Sequence, residues 1–230
     1  MMKHFELTDE TAYFGCIVLH RIRALVDLPQ HGVAAGDLGG WVEHEGNLDD
    51  RAWVADEVKV YGAAQVFGNA LVFGDAVVFG DALVFGDAEV SGDARVFDNA
   101  LVLGDARVSG DARVSGRARV SGDARVFGDA EVSGRARVAG DADLFEVQHI
   151  LTVGPIGSEN NVATLVRTRG GGHLLTIGCW TGTIDELPNE VECRAEGWAG
   201  RHLETQRWRA AYNALIPLLK VYAESWEAHG

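Results

Sequence analysis

The chain has 230 residues, a formal net charge of −14, 29 glycines and only 4 prolines. That length can bury a sizeable core, and the acidic balance argues against direct binding of nucleic acid, because neutralising phosphates takes Lys and Arg. Three cysteines, Cys16, Cys179 and Cys193, form no C-x-x-C pair and point to neither a disulfide framework nor a zinc knuckle, which fits a cytoplasmic protein.

Residues 1–39 read as an N-terminal β cap. Lys3, His4 and Glu6 open it without the apolar run of a signal peptide. His4 to Leu7 and Ala12 to Ile22 read as strands, with Asp9-Glu10 as the turn between them. Pro29 and Gly32 break the pattern, and Gly36, Gly39 and Gly40 lead into Trp41. His20 and His31 lack Cys or carboxylate partners at metal spacing, so no metal site is expected.

Residues 40–147 are a six-residue repeat, A-x-V-x-G-D, plain in Val72-Phe73-Gly74-Asp75-Ala76-Val77-Val78-Phe79-Gly80-Asp81-Ala82. Eighteen aliphatic residues recur in one register from Val42 to Leu144. A-x-V makes a short strand with Ala and Val on one face, and Gly-Asp makes a turn, since Gly accepts positive φ. The chain therefore coils with flat faces, and each coil pairs with the next at ~4.8 Å.

This pattern resembles the hexapeptide-repeat, left-handed β-helix superfamily, in which three hexads close one triangular coil. The resemblance implies an all-β solenoid of six coils. The best-known members are trimeric acyltransferases with a catalytic His, often with a loop leaving the helix. Here the register is uninterrupted, and no His lies between Leu48 and Leu144. The general base that acyl transfer needs is missing from that region. No catalytic, cofactor-binding or metal-ligating residues are expected, and no cofactor.

The outward positions divide the repeat. Phe67, Leu71, Phe73, Val77, Phe79, Leu83, Phe85, Phe97, Leu101 and Leu103 form an apolar collar, expected to be covered by the flanking segments or to be an oligomer or partner interface. Further on, Phe gives way to Ser and Leu to Arg. Arg117 and Arg119 precede Arg135 and Arg137 by one coil and are expected to stack on one edge, as a candidate anion site.

Residues 148–230 read as a small α+β domain of three strands and two helices. The strands are Ile150 to Val153, Val162 to Arg167 and Leu174 to Cys179. Thr183-Ile184-Asp185-Glu186 reads as a capping box that starts a short helix. A long helix from about Arg201 to Glu227 places Trp208, Ala211, Tyr212, Leu215, Leu219, Tyr222 and Trp226 on one face, with a kink or break at Pro217. His173 and Cys179 are too far apart along one strand to act as a nucleophilic pair.

The entry Gly36-Asp37-Leu38-Gly39-Gly40-Trp41-Val42-Glu43 and the segments Val153 to Ser158 and Gly178 to Glu186 resemble a group of phage and prophage hexapeptide-repeat proteins of largely unassigned role. The resemblance implies a virus-encoded accessory protein in the host cytoplasm and supplies no catalytic residues. The expected function is a non-enzymatic, homo-oligomeric (dimer or trimer) scaffold. It would bind a host protein, inhibiting a defence or nucleic-acid-processing complex, with no membrane association. Alternatives are a nucleotide-sequestering protein using the Arg edge, an acyltransferase, and a structural component of a virion or polymer.

Overall fold

A hexad that ends in Gly-Asp turns the chain through one corner, so three hexads bring it back above its start. In the computed structural model, which describes residues 3–198 and 202–227, this happens six times. On the first face Val60, Val78, Val96, Val114 and Val132 pair in parallel. On the second face Val54, Val72, Val90, Val108, Val126 and Leu144 do so. Val66, Val84, Val102, Val120 and Val138 form the third, with Leu48 bridged to Val66 above them. Outward residues donate their backbone N–H to inward carbonyls of the next coil, Leu83 to Ala100 O at 2.9 Å before the aliphatic and Phe67 to Val84 O at 3.0 Å after it.

The core is a single column of small residues. Every hexad Ala and aliphatic from Ala64 to Leu144 is 0% exposed. Each buried Val contributes about 1.5–3 kcal/mol. The turns are equally tight. At Gly86 φ is +81°, and a Cβ there would lie 2.9 Å from Gly104 N. Three turns use Asp in Gly's place. Asp50, Asp56 and Asp98 adopt φ of 56°, 51° and 59°. Their carboxylates accept the N–H of Gly68, Gly74 and Gly116, one coil below, at 3.2, 3.0 and 3.0 Å.

The N-terminal cap is a hairpin of β1 (Phe5–Phe14) and β2 (Ile17–Ala24) that pairs with β3 (Leu38–Val42). β3 pairs in parallel with Lys59–Val60, so the hairpin lengthens the first face to eight strands. The turn falls at Gly15-Cys16, not at Asp9-Glu10 as the polar pair suggests. Gly15 supplies a φ of +62°. Asp9 and Glu10 lie instead in a register shift within β1. Phe5, Ile22, Leu28 and Trp53 close the upper end of the core.

Below the last coil, Ile150–Ile156, Asn161–Arg167, His173–Ile177 and Trp180–Gly182 form an antiparallel sheet in sequence order. It has four strands rather than three. The expected third strand stops at Ile177, and a turn at Gly178 (φ +63°) leads to the fourth. Cys179 therefore sits in the turn, while His173 Nε2 accepts the N–H of Ile184 at 3.1 Å. The strand Asn161–Arg167 plugs the solenoid: Thr164 Oγ1 accepts Arg137 N–H at 3.2 Å, and Arg169 N–H donates to Asp141 O at 3.1 Å.

Helix α1 spans Leu187–Glu196 and α2 spans His202–Glu227. Glu186 does reach back to Thr183 N–H at 2.7 Å, but α1 begins only at Leu187. Pro217 does not break α2. It lies on the exposed side, as does Asn213, whose carbonyl loses its donor there. Tyr212, Leu215, Leu219 and Trp226 are buried as the periodicity requires, joined by Ala223, whereas Ala211 is exposed. Residue 201, where that helix was expected to start, lies outside the described residues. Among the described residues no helix is long and apolar enough to cross a membrane.

Gly86→Ala forces a Cβ into left-handed backbone against the next coil. Urea unfolding should show a loss of about 1–3 kcal/mol. Asp98→Gly keeps the backbone conformation and removes one acceptor, so its loss should be about 1 kcal/mol. Equal losses for the two would contradict this account of the turns.

Candidate functional site

Because each residue sits above the one a coil later, outward side chains form vertical columns. On the first face Phe14, Tyr61, Phe79 and Phe97 make one aromatic ladder, with ring centroids 5.5, 5.2 and 5.0 Å apart. Burial in the ladder pushes the Tyr61 hydroxyl pKa up, and Arg95 draws it partly back. Phe67 and Phe85 stack at 4.7 Å, and Leu103 follows in register below Phe85. Phe73 sits between Ala55 and Ser91, in no ring pair among the described residues, and is 36% exposed. Phe67, Leu71, Val77, Phe79, Leu83, Phe85, Phe97, Leu101 and Leu103 are all half-buried. The collar does face outward, but its stacking already removes much of it from water.

The third face differs from the other two. Its strands Leu83–Gly86 and Leu101–Gly104 have four residues, where most solenoid strands have two. Leu83 and Leu101 form one column, and Phe67, Phe85 and Leu103 form a second beside it. Phe67 also walls a groove of about 1460 Å³ that continues the face up to Lys3, Phe5 and Leu28 of the cap.

The Arg columns also differ by face. Arg95 and Arg113 lead to Glu131 on the first face. On the second, Arg107 and Arg125 lie between Glu89 and Asp143, with Arg107 3.4 Å from Glu89. Arg119 and Arg137 are neighbours on the third face, with Leu101 above and no acidic rung. Arg117 N–H donates to Gly134 O at 2.7 Å, which sets Arg117 over the turn that carries Arg135. The four predicted guanidinium residues thus share one edge. Arg137 is already engaged there, as its Nη1 donates to Gly178 O of the C-terminal sheet. Arg117, Arg119 and Arg135 are exposed and form no ion pair among the described residues.

A cleft of about 370 Å³ opens where the last coil meets α2, lined by Phe145, Glu146, His149, Arg167, Tyr222 and Trp226 among others. His149 is 5% exposed, and burial lowers its pKa despite the nearby Glu146 and Asp143 carboxylates. Arg167 lies 5.0 Å over the Phe145 ring and 3.3 Å from Asp143. Sequence reading missed this site, because its residues come from three separated segments. The cysteines are free and exposed, and no metal-binding group of His, Cys, Asp or Glu occurs among the described residues.

A family model described as the YdcK β-solenoid repeat matches residues 64–80, 94–110 and 118–132, all within the solenoid. No curated protein matches the chain. The similarity and the parallel three-faced stack agree on a β-solenoid repeat protein.

Phe79 has a ring above and a ring below. Phe79→Ala should lower stability in urea by about 2 kcal/mol. Phe73→Ala should cost less than about 1 kcal/mol. A larger loss at Phe73 would show that stacking is not what stabilises the columns.

Proposed function

We propose that the protein is a non-enzymatic interaction scaffold that self-associates through its third face and presents the rest of the solenoid to a protein partner. One observation carries the reading: the third face sets two apolar columns side by side on its longest strands. Paired apolar columns on a flat surface suit a symmetric contact with a second copy, giving a dimer or trimer. On the first face the aromatic ladder has only Val77 beside it, between Lys59 and Arg95, and on the second Leu71 is followed at once by Glu89. The left-handed winding expected of a six-residue register belongs to the same reading. So does the partner: the resemblance of the flanks to phage and prophage proteins makes it a host protein, in a defence or nucleic-acid-processing complex.

The absence of an acidic rung beside Arg119 favours one second reading. A small anion would sit between Arg117, Arg119 and Arg135, where planar guanidinium groups give directed hydrogen bonds. Calorimetry with a nucleotide panel tests it: binding should vanish in Arg119→Ala, and unchanged binding would remove the site.

Light scattering after size exclusion tests the scaffold. The wild-type mass should be a multiple of 24.7 kDa. Leu83→Glu with Leu101→Glu should reduce it to a single copy, with the β circular-dichroism signal retained. A wild-type mass of one copy would overturn the self-association.

A further inference from the structure

The chain enters and leaves the solenoid by the same device. At the entry, the 3-10 turn Glu45–Asn47 replaces a Gly-Asp corner, and Asn47 Oδ1 accepts the N–H groups of Glu43 and His44 at 3.1 and 2.9 Å. At the exit, the 3-10 turn Val147–His149 does the same, and His149 Nδ1 accepts the N–H groups of Phe145 and Glu146 at 3.3 and 3.2 Å. Asn47 and His149 occupy the same place in the hexad, just before Leu48 and Ile150. Both are buried. Asn47 also donates its amide to Gly62 O and Ala64 O of the next coil, at 3.1 and 2.8 Å, and it does not titrate, whereas the imidazole does.

Two backbone donors on Nδ1 require the neutral ring with its proton on Nε2. A second proton would go to Nδ1 and turn the shared acceptor into a donor facing two donors. The turn it closes also anchors the C-terminal domain. Trp226 Nε1 donates to Gln148 O at 2.9 Å, and the Trp226 ring stands edge-on to His149 at 6.4 Å. Phe145 packs edge-on at 4.1 Å.

The groups around the imidazole come from every neighbouring element. Asp143 lies on the last rung, Glu146 on the turn, Arg167 on the sheet, and Tyr222 and Trp226 on α2. The two carboxylates favour the imidazolium, while Arg167 and burial oppose it.

We propose that the exit turn is a pH-operated latch. Protonation of His149 opens residues 145–149 and releases the end of α2 from the last coil. The direction follows from linkage. Burial depresses the pKa of His149 in the closed state. The open state, near the ordinary value of about 6.5, takes up the proton more readily. Closure is therefore full above about pH 6.5 and weakens as pH falls through the window below it. His4 and His31, in the cap, are also depressed by burial. Their Nε2 atoms meet backbone carbonyls, Ala52 O at 3.0 Å and Arg51 O at 2.9 Å. Those are donor bonds, which survive protonation.

Hydrogen exchange with mass spectrometry on the full chain tests the latch, comparing wild type with His149→Asn at about pH 7.5 and about pH 5. At each pH the intrinsic exchange rate cancels between the two. Near pH 7.5 the proteins should match. Near pH 5, wild-type peptides covering 145–156 and 219–227 should exchange at least about fivefold faster than in the variant, with the solenoid unchanged. Equal protection near pH 5 overturns the proposal. Should His149→Asn already be unprotected near pH 7.5, imidazole nitrogen shifts in the wild type decide. A neutral Nε2–H tautomer that protonates together with the loss of protection supports the latch. An Nδ1–H tautomer, or protonation without loss of protection, overturns it.

Discussion

The vertical pairing of each coil with the next, N–H to carbonyl, is the constraint from which the rest follows. It sets every residue above the residue one coil on. Like therefore stacks on like wherever the repeat is exact: valine on valine inside, glycine on glycine at the corners, Phe79 on Phe97 outside. The same rule places Arg113 beside Arg95 and Arg125 beside Arg107, where like charges face each other across a strand pair. Acidic rungs offset this on two faces. On the third, Arg137 turns away to Gly178 O. The surface is thus composed column by column, and only a change between hexads can vary it.

How much could be read from the chain follows from that rule. The solenoid, its six coils and its inward Ala and Val were legible because the six-residue period is itself the geometry. The Arg edge was legible for the same reason, as Arg119 and Arg137 differ by one coil. Away from the period the reading weakened. Asp9-Glu10 looked like a turn because polar pairs often are, yet Gly15 provided the positive φ that a tight hairpin requires. The fourth strand of the C-terminal sheet, Trp180–Gly182, is too short to announce itself. The half-burial of the collar was not legible either, since stacking of Phe67 on Phe85 depends on side-chain placement across a coil. The cleft at His149 needed three segments brought together.

The two ends show what a uniform repeat cannot do for itself. The first and last coils each leave one side of their backbone without a next coil. The upper end extends its first face with β2 and β3, and fills the core with Trp53 and Ile22. Below, single groups from a packed sheet, such as Thr164 Oγ1 and the Arg169 amide, satisfy the coil. One closure is a continuation of the sheet, and the other is a docking contact between two cores. At the lower joint the sheet lends Val166 to the solenoid core and is tied to the coils by side-chain bonds and a bridge, Ala142 to Thr168. The titratable cap His149 lies at that joint.

Function in such a molecule must be sought at departures from the repeat. The inward positions are fully used by folding, and a change at Ala100 or Val102 alters stability before anything else. Outward positions outside the aromatic ladders have no comparable duty. Leu83 and Leu101 occupy places in the hexad that are filled by the polar side chains of Lys59 and Gln65 in other hexads. An apolar residue there gains little from the solenoid itself, because its neighbours above and below cover only part of it. Its cost in exposed surface is offset when another surface covers the face. That asymmetry, more than the size of the patch, is the ground on which the third face is proposed as the contact with a second copy.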